Sequence, residues 1–454
     1  MRRRLKKYRL FRALRSRLPA AWSLHYRTYL TTRELLKSTS HFTLQEHTDW
    51  QYERLKELVG YCWDNIRGYR NLWERSGFQP SMLKTPEDIK KIPAINKELL
   101  RKELDHFTNR NLKGIEYITT GGSTGIPFGF YIQAENHMIE KACIHHLWSQ
   151  YVPDIDLKTP YTILRGRIVP GGMTYDPMHG LILSSYHLTA KQAALFATAM
   201  EKYQTPILHA YPSSLYVLAK IMKRNNLKIR HRFRAVMLGS EVLYPYHRDI
   251  IAEVFRAPIC HWYGLAEKTI LAGTCPEDDR FHIVPEYGIA EIITERGTEA
   301  SKDEKGELVG TSLWVRATPF IRYRTMDYAF KGEHTHTGCT FHYPLFDRVE
   351  GRVQELVVGR SNKLITLAAL SIVCGKFTGV EQFKFHQSEP GRLVFNYVRS
   401  GKDEPVNETT MNARLMHVLG NDFSITFKEV DSIPVTATGK LCYLQQDLDI
   451  EKFL

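Results

Sequence analysis

The feature that most constrains the fold is a regular alternation of strand-like and helix-like segments in the middle of the chain. Residues 206–211, 235–238 and 259–263 are short apolar runs typical of strands, and residues 212–224 and 244–255 between them have the apolar spacing of helices. Strand–helix–strand units place consecutive strands parallel in one sheet. The alternation therefore predicts an α/β domain built on a parallel sheet.

The pattern changes on both sides of this segment. Residues 55–104 have the periodicity of helices, whereas the C-terminal part has short strands at 381–385 and 393–398 and a helix near 408–419. We therefore expect a large α/β domain followed by a small α+β domain. The predicted parts are a basic amphipathic segment at 1–22, the large domain at 23–350 and the small C-terminal domain at 351–454.

Composition excludes several classes of protein. The chain has 454 residues, 43% of them hydrophobic and 24% charged, which is ordinary for globular proteins and unlike disordered chains. No apolar run reaches the roughly 20 residues that a membrane-spanning helix needs. The seven cysteines, with no secretory signal, favour a reducing compartment, so we expect a cytoplasmic protein.

The basic excess is concentrated at one end. The formal net charge is +13, and residues 1–17 contain nine Lys and Arg residues and no acidic residue. Apolar residues from Tyr8 to Trp22 share a helical face, which fits a peripheral helix on the anionic inner face of a membrane. A solvated basic terminus fits equally well. No nucleic-acid-binding module follows, so no nucleic-acid partner is expected.

Three predicted strand ends carry glycines and polar side chains, at residues 210–214, 239–241 and 262–267. Ligands of parallel sheets bind beyond the carboxyl ends of the strands, where glycine permits close approach of the backbone. Tyr263 offers a stacking face, and Glu267 offers a hard oxygen for Mg²⁺. Taken singly, each segment is more typical of a helix start capped by a residue such as Ser213 or Ser240.

A glycine-rich loop at residues 119–127 places hydroxyl side chains between glycines. Such a loop presents several N–H and O–H donors at once, which suits a polyphosphate. It lacks the Gly-Lys-Ser/Thr of a Walker loop, and the strand-like residues 128–132 follow it. A plain hairpin turn therefore fits the loop as well.

Two further segments present single charged groups. A strand-like run ends in Asp327, whose carboxylate suits the vicinal hydroxyls of a ribose or an ion pair with Arg322 or Arg324. Lys440 stands in a polar loop near the C-terminus that also fits a solvated turn.

The order of these segments along the chain resembles the core motifs of adenylate-forming enzymes. Within that superfamily they look most like the phenylacetate-CoA ligase branch, including CapK-type proteins of capsular polysaccharide biosynthesis. The motifs are Gly122-Ser123-Thr124-Gly125, Gly239-Ser240-Glu241, Tyr263-Gly264-Leu265-Ala266-Glu267, Gly306-Glu307-Leu308-Val309, Ile321-Arg322-Tyr323-Arg324-Thr325-Met326-Asp327, Gly351-Arg352 and Gly439-Lys440. The resemblance runs from about residue 50 to residue 440.

The resemblance implies an enzyme that uses ATP and Mg²⁺ to adenylate a carboxylic acid, releases pyrophosphate and passes the acyl group to CoA or another acceptor. The large domain would bind ATP and the acid, and the small domain would close over them as a lid. Catalytic roles are implied for Lys440, Glu267 and Thr124, with Glu267 holding Mg²⁺. The implied ATP-binding residues are Ser123, Thr124, Gly125, Gly239, Ser240, Glu241, Tyr263, Gly264, Asp327 and Arg352.

The sequence departs from the family pattern at three places. Phe128 follows the loop proline where many members have lysine, residues 354–355 replace an acidic pair, and residues 359–366 lack the glycine-containing stretch that helps admit the thiol. Adenylation is therefore better supported than transfer to CoA, and another thiol, an amine or a sugar hydroxyl stays open as acceptor. A non-catalytic scaffold that docks on a membrane or a polysaccharide-assembly complex is the alternative function.

Two minor features complete the sequence-based expectations. Related proteins carry a Cys/His group where this chain has Cys275, His282, Cys339 and His342. Four such ligands suit tetrahedral zinc, and free cysteines with surface histidines are the alternative. Residues 161–167 would line the acyl pocket, with Arg165 or Arg167 near a second anionic group, although ordinary surface arginines fit this segment better.

Overall fold

The structure is a computed structural model that describes residues 24–120, 128–165, 167, 169–177, 179–185, 188–333, 341–352, 356–374, 376–401, 404–434 and 442–453. The basic segment at 1–22, most of the glycine-rich loop and the loop that contains Lys440 lie outside these ranges. In the described chain, no helix is both long enough and apolar enough to cross a bilayer.

Ten α-helices and twenty strands make up the described part of the fold. The helices are α1 (Leu24–Ser38), α2 (Leu44–Asn65), α3 (Arg67–Ser76), α4 (Lys97–Glu103), α5 (Asn136–Trp148), α6 (Ala190–Tyr203), α7 (Pro212–Arg224), α8 (Pro245–Phe255), α9 (Leu367–Cys374) and α10 (Glu408–Leu419). The strands are β1 (Ile115–Thr119), β2 (Gly129–Gln133), β3 (Tyr161–Arg165), β4 (Met173–Asp176), β5 (Gly180–Ser184), β6 (Ile207–Ala210), β7 (Ala235–Gly239), β8 (Ile259–Gly264), β9 (Leu271–Cys275), β10 (Asp278–Ile283), β11 (Gly288–Ile293), β12 (Lys305–Ser312), β13 (Tyr323–Lys331), β14 (Leu345–Arg352), β15 (Leu356–Val358), β16 (Leu364–Thr366), β17 (Val380–Glu389), β18 (Arg392–Arg399), β19 (Ser424–Glu429) and β20 (Leu444–Gln446).

Capping residues set the start of α2 and the end of α3 in the N-terminal region. Thr43 and Glu46 form a capping box at the start of α2, so each satisfies a backbone N–H that the helix leaves without a partner. Gly77 ends α3 in the left-handed conformation, which costs glycine little. The buried faces of α2 and α3 pack with Phe128 and Phe130 in one core cluster, which anchors this helical region to the β1–β2 hairpin.

One large sheet organises the rest of the N-terminal part, in the strand order β11-β12-β13-β14-β10-β9-β8-β7-β6-β3-β5-β4. Strands β5, β3, β6, β7 and β8 are parallel to their neighbours in this series, and the remaining pairs are antiparallel. The predicted alternation of strands and helices is therefore confirmed. Because the chain crosses over between parallel strands through α6, α7 and α8, their carboxyl ends meet at one edge.

The two faces of the parallel strands bury different helices. Leu164, Leu208, Val236 and Leu238 face the core formed with α6, α7 and α8. The alternate residues, among them Ile207 and Met237, pack against the core formed with α5. Burying each such side chain stabilises the fold by about 1.5–3 kcal/mol, so the sheet is held from both sides.

The small C-terminal domain is a four-stranded sheet in the order β19-β18-β17-β20, packed against α9 and α10. It contacts the large domain through α7, where Lys220 Nζ donates to the carbonyl of Val380 at 2.6 Å and Arg224 pairs with Glu381 at 2.8 Å. The predicted class, a large α/β domain with a smaller mixed domain behind it, is confirmed. The boundaries proposed at residues 22 and 350 stay predictions.

Candidate active site

The carboxyl ends of β7 and β8 lie side by side, which brings two of the predicted nucleotide-binding segments together. Gly239 at the end of β7 pairs with Trp262, and Tyr263 and Gly264 follow at the end of β8. A Cβ atom at Gly239 would lie 2.5 Å from Cε2 of Trp262, so only glycine leaves room for the indole. The indole therefore lies directly against the backbone at the strand ends.

The segment after β7 is held by its own carboxylate and by a neighbouring histidine. Glu241 accepts a hydrogen bond from the backbone N–H of Ser213 at 2.9 Å, at the N-terminus of α7. His261 donates from Nε2 to the backbone carbonyl of Glu241 at 3.0 Å, and burial lowers the pKa of His261 to about 4, so the ring is neutral. The interpretation of Ser213 as the side-chain cap is thus wrong, because the carboxylate of Glu241 takes that place at the helix dipole.

Tyr263 and Asp327, which the sequence assigned to one ligand, are in direct contact. The hydroxyl of Tyr263 donates to Oδ2 of Asp327 at 2.7 Å, and Asp327 is buried. Asp327 lies in the middle of β13, so the expectation of a strand ending at this residue is wrong. The bulges between β13 and β14 place Asp327 opposite Arg352, the last residue of β14, so the two predicted ribose-binding positions share one cross-strand pair.

The two arginines near Asp327 have other partners. Arg322 forms a two-point ion pair with Glu291 on β11, at 2.9 and 3.0 Å. Arg324 pairs with the buried Glu307 on β12, at 2.5 Å. The alternative in which Asp327 serves only as the ion-pair partner of Arg322 or Arg324 is therefore wrong.

Glu267 follows β8 and is buried at 6% exposure. Its Oε1 accepts a hydrogen bond from the hydroxyl of Tyr323 at 3.0 Å. The next residue, Lys268, pairs with Glu140 on α5 at 2.6 Å. A carboxylate oxygen is a hard ligand of the kind that suits a divalent cation. We call Tyr263, Glu267, Tyr323 and Asp327 the carboxylate edge.

A second group of polar residues lies at the same edge of the sheet, beside β3 and β6. Arg165 Nη2 donates to Nε2 of His209 at 2.9 Å, and Lys141 Nζ lies 4.9 Å from the ring centroid of Tyr161. All three side chains keep partial exposure although aromatic rings surround them. Burial lowers the pKa of Arg165 and of His209, and it lowers the pKa of Lys141 to about 8. We call Lys141, Arg165 and His209 the basic recess.

The sequence pointed to Arg165 but missed Lys141 and His209. Lys141 lies within a helix of low amphipathicity, and His209 lies inside an apolar strand. The sequence pattern around each residue is therefore that of an ordinary core segment and gives no sign of a binding site. The register of the sheet, which pairs His209 with Ile163 and Met237, is needed to show on which face of the sheet His209 lies.

The predicted zinc ligands are placed only in part. His282 pairs with Gly273 across β9 and β10, so His282 and Cys275 lie on the same face of neighbouring strands, and both are buried. Both ring nitrogens of His282 lack a hydrogen-bond partner in the described chain, which a metal would supply. Cys339 lies outside the described residues, and His342 lies in the short described segment just before β14. Among the residues that the structure describes, no group of three His, Cys, Asp or Glu side chains has metal-binding geometry.

Several predicted catalytic residues lie outside the described ranges. These are Ser123, Thr124, Gly125 and Lys440. The strands that flank the glycine-rich loop do form the antiparallel β1–β2 hairpin, so the loop connects two strands as its sequence suggested.

With this geometry established, comparison with known proteins identifies the fold. Residues 357–447 match the family described as CapK C-terminal domain. Protein CapK of Staphylococcus aureus is 22% identical over 403 residues, which cover 86% of this chain and 87% of CapK. The chain is similar to CapK over most of its length, and its fold is that of the CoA ligase described next.

Two further relatives support the same conclusion. Phenylacetate-coenzyme A ligase of Thermus thermophilus is 24% identical over 64% of this chain and 66% of that ligase. The crystal structure of 2-hydroxyisobutyryl-CoA ligase in its postadenylation state, in complex with 2-HIB-AMP, superposes with a TM-score of 0.74 at 17% identity, covering 91% of this chain and 93% of that one. The same ligase in its thioesterification state, with 2-HIB-AMP and CoA, gives a TM-score of 0.56. The resemblance that the motifs suggested is confirmed at the level of relatives and fold.

Proposed function

We propose that this protein is an ATP-dependent enzyme that adenylates a carboxylic acid and passes the acyl group to an acceptor. The observation that carries the proposal is the convergence of Gly239, Tyr263 and Asp327 at the carboxyl edge of the parallel strands. Its CapK and phenylacetate-CoA ligase relatives, and a fold shared with a CoA ligase crystallised with an acyl-AMP, support it. In this proposal Tyr263 stacks on the adenine, and Asp327 with Arg352 binds the ribose hydroxyls.

The proposed chemistry joins two anions. The acid carboxylate attacks the α-phosphate of ATP, a P–O bond to pyrophosphate breaks, and the acyl-AMP remains. Positive charge must therefore be placed where the charge of the transition state develops. Glu267 has the buried, hydroxyl-supported carboxylate that a Mg²⁺ site requires, and bound Mg²⁺ would neutralise phosphate charge. Ser123, Thr124 and Gly125 would bind phosphate, and Lys440 would stabilise the attacking carboxylate from the small domain.

The second half-reaction is proposed in outline. The acceptor attacks the carbonyl carbon of the acyl-AMP, and AMP leaves. The acceptor is CoA or another thiol, an amine or a sugar hydroxyl. 2-Hydroxyisobutyryl-CoA ligase was also crystallised with CoA, whereas the likeness to CapK favours a role in surface polysaccharide biosynthesis.

Pyrophosphate release tests this proposal. Full-length protein is incubated with ATP, Mg²⁺ and a panel of carboxylic acids, with Lys440→Ala as the inactive control and Lys428→Ala, an exposed lysine on β19, as the matched control. We expect acid-dependent release by the wild type and by the matched control, and loss of release in Lys440→Ala. If no acid supports release and calorimetry detects no ATP binding, the proposal is wrong.

A second candidate function concerns the basic N-terminal segment. Nine basic residues within residues 1–17 favour adsorption to anionic lipid, at roughly 1 kcal/mol for each residue near the surface. We propose that this segment docks the protein on a membrane, either as an enzyme or as a scaffold. Co-sedimentation with vesicles containing phosphatidylserine is expected for the full chain and not for a truncation that begins at Leu24. Equal binding by both forms contradicts the proposal.

A further inference from the structure

We infer that the carboxylic acid used by this protein carries a second anionic group at its far end, and that the basic recess binds this group. This inference rests on the proposed adenylation function and specifies its substrate class. The second anion of this acid binds at Arg165 and Lys141, and its reacting carboxylate lies beyond the carboxyl end of β7.

Among the described residues, neither Arg165 nor Lys141 forms an ion pair. The Nε atom of Arg165 is buried and has no hydrogen-bond partner in the described chain. Its Nη2 donates to a ring nitrogen of His209, which is a neutral acceptor and supplies no negative charge. Lys141 Nζ lies over the rings of Tyr161 and Trp148, at 4.9 and 5.9 Å from their centroids.

The nearest acidic side chain is already engaged elsewhere. Glu140 precedes Lys141 on α5, and its Oε2 pairs with Lys268 at 2.6 Å. Its other oxygen accepts a hydrogen bond from the hydroxyl of Tyr287 at 3.3 Å. The segments outside the description contain two acidic side chains in all, Glu355 and Asp403, both in the C-terminal part of the sequence.

Two partly buried cations near one another repel, and each loses part of its hydration. A fold retains such a pair when a bound anion supplies the missing charge, because burying an unpaired charge is costly. A guanidinium edge and an ammonium group together suit a carboxylate, sulfonate or phosphonate. The recess is therefore built for an anion.

The position of the recess within the sheet fixes the length of the ligand. Arg165 ends β3, and Gly239 ends β7, two strands away across β6. Neighbouring strands lie about 4.8 Å apart, so roughly 10 Å separates the recess from the end of β7. An aromatic or unsaturated acid with a para substituent spans such a distance.

The walls between the two ends are aromatic. The ring centroids of Trp148 and His209 lie 5.1 Å apart, those of Trp148 and Trp262 lie 6.3 Å apart, and Arg165 faces the ring of Tyr211 at 5.4 Å. Trp148 packs edge-on against His209 and Trp262, at interplanar angles of 78° and 71°, so these rings form an apolar backing to the recess. The recess is therefore charged in front of an apolar aromatic cluster, which suits an acid whose body between the two anions is apolar.

Matched acids test the inference by binding, independently of turnover. Isothermal calorimetry, with and without a non-hydrolysable ATP analogue, compares 4-carboxycinnamate, 4-sulfocinnamate and 4-phosphonocinnamate with the uncharged-end analogue 4-carbamoylcinnamate. We expect at least one dianion to bind about tenfold or more tightly than the amide, as charge-assisted hydrogen bonds predict. Equal binding of dianions and amide, or no dianion binding at about 10 mM, overturns the inference.

Two variants locate the effect. Arg165→Met should abolish the preference for the dianion, whereas Arg167→Met, at an exposed arginine two residues away, should change it less than about twofold. If Arg165→Met fails to fold, Lys141→Met is the second test and should weaken dianion binding several-fold. A preference that survives both Arg165→Met and Lys141→Met overturns the inference.

Pyrophosphate release with the same acids separates this inference from the proposed function. Preferred binding of dianions without any release contradicts adenylation and supports the anion site. Release with the amide and the dianions at equal kcat/KM supports adenylation and overturns the second-anion inference.

Discussion

The carboxylate edge and the basic recess lie along the same edge of one sheet, yet their charged groups have different kinds of partner. In the carboxylate edge, each acidic group receives a hydrogen bond from a tyrosine hydroxyl. In the basic recess, two cations lie among aromatic rings without an ion-pair partner in the described chain. On the proposals above, the first region binds a metal ion and hydroxyl groups, and the second binds an anion.

The largest expected effect concerns the charge of the carboxylate edge. Glu267→Gln keeps the size of the side chain and the hydrogen bond from Tyr323, but it removes the negative charge proposed to hold Mg²⁺. We expect kcat/KM for pyrophosphate release to fall about 100- to 1,000-fold, with little change in thermal stability. Gln45→Glu on the exposed surface of α2 is a control for charge change. Activity within threefold of the wild type would remove Glu267 from the proposed site.

The next effect is a pH dependence that belongs to the basic recess alone. The groups that face Lys141 are Glu140 and His145 on its own helix and Tyr161, Arg165 and His209 on the strands. Since burial lowers the pKa of Lys141 to about 8, its charge is present below that pH and is lost as the pH rises.

Affinity for a dianionic acid should therefore be full near pH 7 and weaken about tenfold by pH 9. Calorimetric titrations across this range provide the measurement. In Lys141→Met the affinity should already be low and should not change over the same range. A wild-type affinity that is constant from pH 7 to pH 9 would mean that Lys141 does not contact the acid.

A smaller effect distinguishes the two tyrosines of the carboxylate edge. Tyr263→Phe removes the donor to Asp327 and keeps the aromatic face, so KM for ATP should rise about 3- to 10-fold while kcat changes little. Tyr323→Phe is the matched variant, and it should alter the dependence on Mg²⁺ concentration instead. Identical kinetic changes in both variants would show that the two carboxylates do not have separate roles.

The smallest expected effect is on the free energy of unfolding, which a substitution in the basic recess should raise. Arg165→Met removes a partly buried cation from an aromatic environment, so the ligand-free protein should be stabilised by about 1 kcal/mol. Differential scanning calorimetry measures the change, and Arg167→Met should leave Tm unchanged. Destabilisation by Arg165→Met would mean that this arginine supports the fold and that its charge is compensated.

The comparison also explains which parts of the molecule could be predicted from the sequence. The parallel strands were predictable, because β6, β7 and β8 are apolar runs separated by helices with clear periodicity. Tyr263 and Asp327 were predictable as one site through the order of family motifs. Their contact was not, since Tyr263 lies on β8 and Asp327 lies on β13, 64 positions later, so no local spacing connects them.

The basic recess shows where a single sequence stops being informative. Arg165, Lys141 and His209 come from β3, α5 and β6, so no local spacing connects them. The structural role of Glu241 was missed for a similar reason, because the helix whose N-terminus it satisfies precedes it by 28 positions. Capping by a distant carboxylate leaves no pattern at the helix itself.

The neighbouring residues Glu140 and Lys141 on α5 have one further consequence. Glu140 forms an ion pair with Lys268, the residue after Glu267, while Lys141 is part of the basic recess. One turn of α5 therefore carries contacts to both regions, and if an acid bound by Lys141 shifts this turn, it also shifts the partner of Lys268. Acid and Mg²⁺-nucleotide should then bind cooperatively, and thermodynamic linkage requires each to raise the affinity of the other by the same factor.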